Sequence, residues 1–403
     1  MSFAVSFDVG HVRAGYPALR DGHAYLDGAA GTQVPSPVIE AIADAYRAGI
    51  GNVGGAFAAS ARSVAIVAEA RQAVADLVGG VARGVVFGPS ATELTYRAAG
   101  ALSRTWGPGD EVVVSRLDHD SNIRPWIQAA SRAGATVRWA EPDLATGELP
   151  AGQYAGLIGE RTRLVAVTAA SNVVGTRPDL PAIAAFAHAA GALCYVDGVH
   201  ATPHVPVDVA ALGADFYTTS AYKWSGPHVA ALVAAPSLLE TLRPDKLAPS
   251  SDEVPDRFER GTLPFADLAG VTAAVDHLAG LAAPSGGSRR ERVLASMAAV
   301  EEYEGALFRH LLGGLASMGH VTIYGKAARR APTVYFTVEG LTPAAVAESL
   351  AARQINVWSG NNYALELSRA LGLEPGGAVR AGLVHYNDEA DAGRLLEAVA
   401  ALG

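Results

Sequence analysis

The sequence predicts an α/β protein: a large domain with a mainly parallel sheet covered by helices, then a smaller C-terminal α+β domain. Three observations predict it. Between residues 64 and 236, seven short runs rich in Val and Ala alternate with helical patterns, and strands apolar almost throughout belong to a parallel sheet buried on both faces. Nearly every such run ends in a polar cluster, where an open α/β sheet places its ligand crevice. Past a small-residue and charged stretch at 282–292 the pattern changes. The boundary is therefore expected between a domain 1–285 and a domain 286–403, with the first ~20 residues packing on the smaller one.

Taken in order, the strands are "GVVFGPS", "EVVVSRLD", "TVRWAEPD", "RLVAVTAASN", "ALCYVDGVH", "ADFYTTSAYK" and "HVAALVAA". Their polar ends are Ser90 and Thr92, Asp118 to Asn122, Ser171 and Asn172, Asp197 to His200, and Ser220 to Lys223, read here as one site. After the junction come the helix "VLASMAAVEEYEGALFRHLLGGLASM", strands "VTIYG" and "PTVYFTV", the helix "PAAVAESLAARQ", strands "INVWSG" and "AVRAGLVHYN", and a closing helix "DEADAGRLLEAVAAL".

Composition narrows the function classes. A chain of 403 residues, half of them hydrophobic, can bury a large core, and its net charge of −9 is spread along the chain. The basic runs "ARR" (328–330) and "SRRER" (288–292) read as solvated surface, so no nucleic-acid partner is expected. The one cysteine, Cys194, excludes an intramolecular disulfide and a thiolate metal cluster. The N-terminal "MSFAVSFDVGHVR" lacks the form of a signal peptide, and the apolar "LPAIAAFAHAAGALCYV" is broken by Gly191 and His188, as in a helix running into a buried strand. A cytoplasmic protein with no membrane partner is expected.

The chemistry centres on "TTSAYKWSGPH", where Lys223 stands in a small-residue turn after a buried strand. A lysine desolvated there has a lowered pKa and becomes an amine nucleophile for a carbonyl. Asp197, 26 residues earlier at the end of another buried strand, needs a cationic partner. Pyridoxal 5'-phosphate uses both groups, forming an imine with a lysine and needing a carboxylate beside its ring nitrogen. "GPSATELTYRAAGALS" opens a helix whose free N–H groups suit a phosphate, although an N-cap explains the same residues. His119 is able to stack on a pyridine ring and Asn172 to bond its hydroxyl; singly, each also reads as a satisfied core polar group.

The set "DGAAGTQVP", "LDHDSNIRPW", "ASNVVGT", "YVDGVHATPH", "SAYKWSGPH", "FERGT" and "VRAGLVHYN" resembles the cysteine-desulfurase-like branch of the class V aminotransferases, which are fold-type I pyridoxal-phosphate enzymes. The resemblance runs the length of the chain. It implies Lys223 as the imine lysine, Asp197 on the ring nitrogen, His119 stacked on the ring, and Asn172 and His200 near its hydroxyl. It further implies Ala91, Thr92 and Ser220 at the phosphate, Thr262 reaching the phosphate from a second subunit of a homodimer, and Arg380 gripping the substrate carboxylate. Substrate contacts are expected from Asn122, Arg124, Trp358, Asn361, Asn362 and Tyr363, with Trp126 and "GNVGGAF" (51–57) at the rim.

The chain departs from true desulfurases, which carry a nucleophilic cysteine on a mobile loop of the C-terminal half. The corresponding stretch 357–371 has none, Cys194 lies in a strand, and Tyr222 stands before the lysine where such enzymes usually have histidine. The expectation is a C–S β-lyase acting on a cysteine S-conjugate, which needs no catalytic cysteine. Decarboxylation, oxidative aldehyde formation, transamination and epimerisation are the rival outcomes. A ligand-sensing role outside catalysis would require an attached DNA-binding domain, for which neither end of the chain reads as one.

Overall fold

The structure is a computed structural model that describes residues 7–282 and 286–403. The short strand β1 (Ala24–Tyr25) precedes the main sheet, whose strands are β2 (Val85–Gly88), β3 (Glu111–Ser115), β4 (Thr136–Ala140), β5 (Thr162–Thr168), β6 (Leu193–Asp197), β7 (Phe216–Ser220) and β8 (Ala230–Ala234). All seven runs expected from the sequence form strands. Their order is β2-β8-β7-β6-β5-β3-β4, and every pairing is parallel except those of β8, which runs against both neighbours.

The near-continuous apolarity of these strands has a direct cause. Alternate residues serve two separate cores: Val113, Val165, Val167, Cys194, Val196 and Tyr217 pack on one face, while Val112, Val114, Leu164, Ala166, Tyr195 and Phe216 pack on the other. With helices on both faces few positions are left for a polar side chain before the strand ends, the exceptions including exposed Thr136 and Arg138 on edge strand β4 and buried Thr218 and Thr219 on β7. The polar residues therefore gather at the carboxyl edge. Gly198 continues β6 beyond Asp197 where a Cβ would lie 1.9 Å from the Tyr217 ring, so the backbone there passes too close to Tyr217 for any side chain.

In the C-terminal part, β9 (Val321–Tyr324), β10 (Thr333–Val338), β12 (Trp358–Gly360) and β13 (Ala378–Gly382) form an antiparallel sheet in the order β12-β13-β10-β9. Between them β11 (Ile355–Asn356) pairs in parallel with β1. The run "INVWSG", expected as one strand, is thus shared between two sheets. Leu307, Leu311 and Leu315 of helix Arg289–Ala316, with Val346 and Leu350 of Pro343–Ala351 and Leu395 and Val399 of Glu389–Ala400, cover Val334, Phe336 and Val379. The N-terminal segment reaches this region, Arg13 donating to Tyr386 O at 2.6 Å and pairing with Asp391 at 2.8 Å.

The boundary expected at 285/286 falls on residues 283–285, outside the described residues, as do residues 1–6 of the N-terminal stretch. Helix Arg289–Ala316 starts at a capping box made by Ser288 and Glu291. The two basic runs are not simply solvated surface, as was expected. Arg289 pairs with Glu69, Asp76 and Asp276, and Arg290 donates to the carbonyls of Asp76, Leu77 and Val207, so both anchor this helix to the large unit. Arg330 lies over Phe308 and caps Gly325 O and Thr333 O, and burial lowers its pKa to about 10. Arg289, Arg290 and Arg330 each have carbonyls or carboxylates within reach, which a pattern of charge along the chain does not reveal. Among the described residues no helix is long and apolar enough to cross a membrane.

Candidate active site

The carboxyl ends of β5, β6 and β7 and the N-terminus of helix Ala91–Leu102 surround one cavity. Ala91, Thr92, His119, Asn172, Asp197, His200, Ser220 and Lys223 all line it, with Ser90, Ser121, Thr168 and Tyr222. The structure thus brings together every residue expected to hold the cofactor except Thr262.

Lys223 follows β7 on a single turn of 3-10 helix, Ala221–Lys223, and is buried. Its Nζ donates to Ala29 O in the glycine-containing segment after Asp27. Burial and the nearby Arg380 lower its pKa to about 7, against a smaller opposing effect of Asp197. Asp197 ends β6; its Oδ1 accepts from Val199 N at 2.9 Å, and burial raises its pKa to about 6 although Val199 and Lys223 pull it down. A base and an acid, both moved toward neutrality by the same dry cavity, mark a functional site.

His119 is held neutral, its pKa lowered to about 3 by burial, then by Lys223 and Arg380. Its Nδ1 accepts from Ser121 N at 3.0 Å, which assigns the remaining proton to Nε2. Ser90 caps the helix by accepting from Glu93 N, leaving the first helical N–H groups at Ala91 and Thr92 beside the cavity. Two buried atoms of lining residues, Asn172 Oδ1 and His200 Nδ1, have no partner among the described residues. Unpaired buried polar atoms are costly, and these two sit where a polar ring would satisfy them. Together with a lysine, a carboxylate and a helix N-terminus, they fit pyridoxal phosphate.

An outer chamber of about 810 Å³ opens from this cavity. Arg124, Trp358, Asn361, Asn362, Tyr363 and Arg380 line it, as expected, with Asp120 from the polar cluster 118–122, and Tyr96 is an addition that sequence reasoning missed. Tyr96 lies one helical turn past Thr92, so the 3.6-residue period of that helix was the available signal. Arg380 is buried, with Nη1 donating to Asn172 O at 3.1 Å. Arg124 is committed to Asp120 at 2.6 Å and Glu366 at 2.9 Å. The stretch 360–363 crosses the mouth: Asn362 O accepts from Asn172 Nδ2 at 2.8 Å, Tyr363 O from Asp120 N at 2.7 Å, and the Tyr363 ring stacks on His119 at 5.3 Å. Asn362 (φ 50°) and Tyr363 (φ 61°) are both left-handed, an uncommon conformation for a bulky side chain.

Three expectations need correction. Asn122 does not face substrate: its Nδ2 donates to Asp118 and its Oδ1 accepts from Trp126 Nε1, so both ends of the amide are used in the core. Trp126 is fully buried rather than at the rim. The segment 51–57 does not line the cavity of its own chain; Asn52 and Val53 line a separate groove. Thr262 lies in that same groove, apart from the Lys223 cavity.

Comparison with known proteins shows the family. A model of the aminotransferase class V family matches residues 24–395. The chain is 38% identical over 401 residues to an uncharacterized protein of Mycobacterium tuberculosis, covering 99% of this chain and 100% of that one. It is 34% identical to a probable cysteine desulfurase of Pseudomonas putida, covering 96% of each. The crystal structure of the cysteine desulfurase CsdA from Escherichia coli superposes with a TM-score of 0.86 at 29% identity, covering 98% of each chain.

Proposed function

This chain belongs to the class V aminotransferase family and is a pyridoxal-phosphate enzyme, and on that premise we propose that it is a C–S β-lyase acting on a cysteine S-conjugate. One observation carries the choice. The lysine, the carboxylate and the substrate arginine converge, yet the stretch 357–371 beside them has no cysteine. The chain's one thiol, Cys194, is buried in β6, where burial pushes its pKa up to about 12. A thiol so placed is not the nucleophile of a persulfide-forming step.

The residues then divide the work. Asp197 would sit against the ring nitrogen, His119 against the ring face, Asn172 and His200 near the ring hydroxyl, and Ala91, Thr92 and Ser220 at the phosphate. Bound pyridoxal phosphate supplies an electron sink for bonds at the substrate α-carbon. Arg380 binds the substrate carboxylate as a fork and fixes which α-carbon bond is activated. Lys223, whose pKa burial lowers to about 7 so that a large share of it is unprotonated at neutral pH, takes the α proton. The C–S bond breaks with its electron pair on sulfur, which leaves as the thiol after protonation. Water completes the balance, giving pyruvate and ammonia. Tyr363, Trp358 and the two asparagines form the walls around the sulfur substituent, which favours polar substituents over bare alkyl groups.

Thr262 completes the site from a second subunit of a homodimer in this reading. Its position away from its own chain's cavity, beside exposed Val53, Val64 and Leu247, supports it. A cytoplasmic setting accords with the lone reduced thiol.

Product analysis with S-substituted cysteines tests the reaction. Stoichiometric pyruvate and free thiol are expected. Alanine with protein-bound sulfur, or carbon dioxide, or a keto acid retaining the whole side chain, would overturn the assignment.

A further inference from the structure

A second buried polar cluster lies behind the lysine turn, outside the cavity. Tyr16 has no exposed surface, and its hydroxyl meets three side chains from distant parts of the chain. Ser225 Oγ is at 2.8 Å, His277 Nε2 at 2.9 Å and His385 Nε2 at 2.6 Å. A phenol has one proton, so it donates to one of these and accepts from the other two. Burial lowers the pKa of His277 to about 4 and holds that of His385 well below the ordinary range, so each ring is neutral with a single N–H. His385 Nδ1 has no partner among the described residues. That fits a proton on its Nε2, because an orphaned acceptor is better tolerated than an orphaned N–H.

Ser225 is two residues past Lys223 and holds φ 67°, a left-handed conformation costing about 1 kcal/mol or more for a residue with a side chain. Such a conformation persists only where surrounding contacts impose it. Here they do so from two sides. Ser225 N donates to Thr32 Oγ1 at 2.7 Å, while Thr32 bonds Tyr222 O through both its N at 2.9 Å and its Oγ1 at 3.1 Å. Tyr16 holds the Ser225 side chain from the other side. The turn bearing Lys223 is thus fixed between residues 29–32 and the Tyr16 cluster. Neither Tyr16 nor Ser225 lines the inner cavity or the outer chamber.

We propose that Tyr16 is a positioning residue for Lys223: through Ser225 its hydroxyl locks the turn after β7, and through His277 and His385 it ties that turn to helix Phe265–Gly280 and to the segment after β13. The proposal rests on Lys223 being the cofactor-binding lysine only for its catalytic consequence. The lock itself is a property of the cofactor-free chain.

The test measures Lys223 directly. Cofactor-free protein is treated with an amine-acylating reagent across a pH series, and labelling of Lys223 is followed by mass spectrometry with exposed Lys326 as internal standard. Wild type is expected to label Lys223 with a midpoint near pH 7. In Tyr16→Phe, which keeps the ring and removes the hydroxyl, water reaches a loosened turn and the Lys223 midpoint is expected to rise by about one unit or more. Ser225→Ala cuts the same bond from the other end and is expected to do the same; it decides the matter should Tyr16→Phe not fold. In the loaded enzyme both variants are expected to shift the pH midpoint of the visible absorption band. A folded variant whose Lys223 titrates as in wild type, whatever its thermal stability, would overturn the proposal. A visible band that survives Lys223→Ala would instead refute the cofactor assignment, and the labelling result would still decide the lock.

Discussion

Lys223 and Asp197 share a cavity that destabilises both charges, and this makes the cofactor-free protein sensitive to pH in opposite directions at two ranges. Asp197 has an ordinary value of 3.8 and is raised to about 6, so between these pH values the folded chain holds a proton that the unfolded chain has lost. Stability therefore falls as pH rises through that window, and the penalty is complete above 6. For Lys223, lowered from 10.5 to about 7, the unfolded chain holds the extra proton, and stability recovers as pH rises from 7 to 10.5. Asp197→Asn is accordingly expected to stabilise the cofactor-free protein at pH 7 by on the order of 2 kcal/mol in urea unfolding, with the gain shrinking as pH falls from 6 toward 3.8. The same variant should bind pyridoxal phosphate less tightly. Equal stability of the two proteins at pH 7 would contradict the burial argument. These two residues were legible in the sequence because each ends an apolar run, where a charge has few reasons to be. Asn122 misled for the converse reason: its place next to the site was right, but one turn of chain aims its amide between Asp118 and Trp126.

At the scale of elements, the two turns that shape the site are bought with backbone conformations and close approaches. Gly198 allows Asp197 to emerge at the sheet edge, and Gly198→Ala would drive a Cβ into Tyr217. A loss of about 3 kcal/mol or more is expected, with failure to retain cofactor on gel filtration. A variant of wild-type stability would contradict the packing. At the mouth, Tyr363→Gly removes both a left-handed residue with a side chain and the ring stacked on His119. Its thermal midpoint is expected to hold or rise, since the conformation costs about 1 kcal/mol, while kcat/KM falls about 3- to 10-fold. A lower midpoint with unchanged kcat/KM would count against the stack. The seven strands of the main sheet were legible because two cores demand apolar residues at most of their positions. The division of "INVWSG" was not, because pairing partners 331 residues away in sequence, Ala24 with Ile355 and Tyr25 with Asn356, leave no local mark.

For the whole molecule, the groove holding Thr262 is flanked by Val53, Val64 and Leu247, with Leu247 69% exposed, an apolar surface of the kind subunits cover. Sedimentation is expected to show a dimer, and a double variant Val64→Asp with Leu247→Asp to dissociate it and depress activity. A fully active monomer would contradict the shared site. Mixing Lys223→Ala with Thr262→Ala chains is expected to recover activity, because one mixed dimer then holds one intact site. Only the family resemblance, not the local pattern, put Thr262 with a second subunit, since a single sequence does not show which surfaces meet across an axis. The catalytic expectations presuppose that pyridoxal phosphate is held covalently at Lys223. Borohydride reduction of the loaded enzyme followed by peptide mass spectrometry tests that most directly. The account predicts a pyridoxyl-phosphate mass on the peptide containing Lys223 and none in Lys223→Ala, and label on Lys246 or Lys326 instead, or on no lysine, would contradict it.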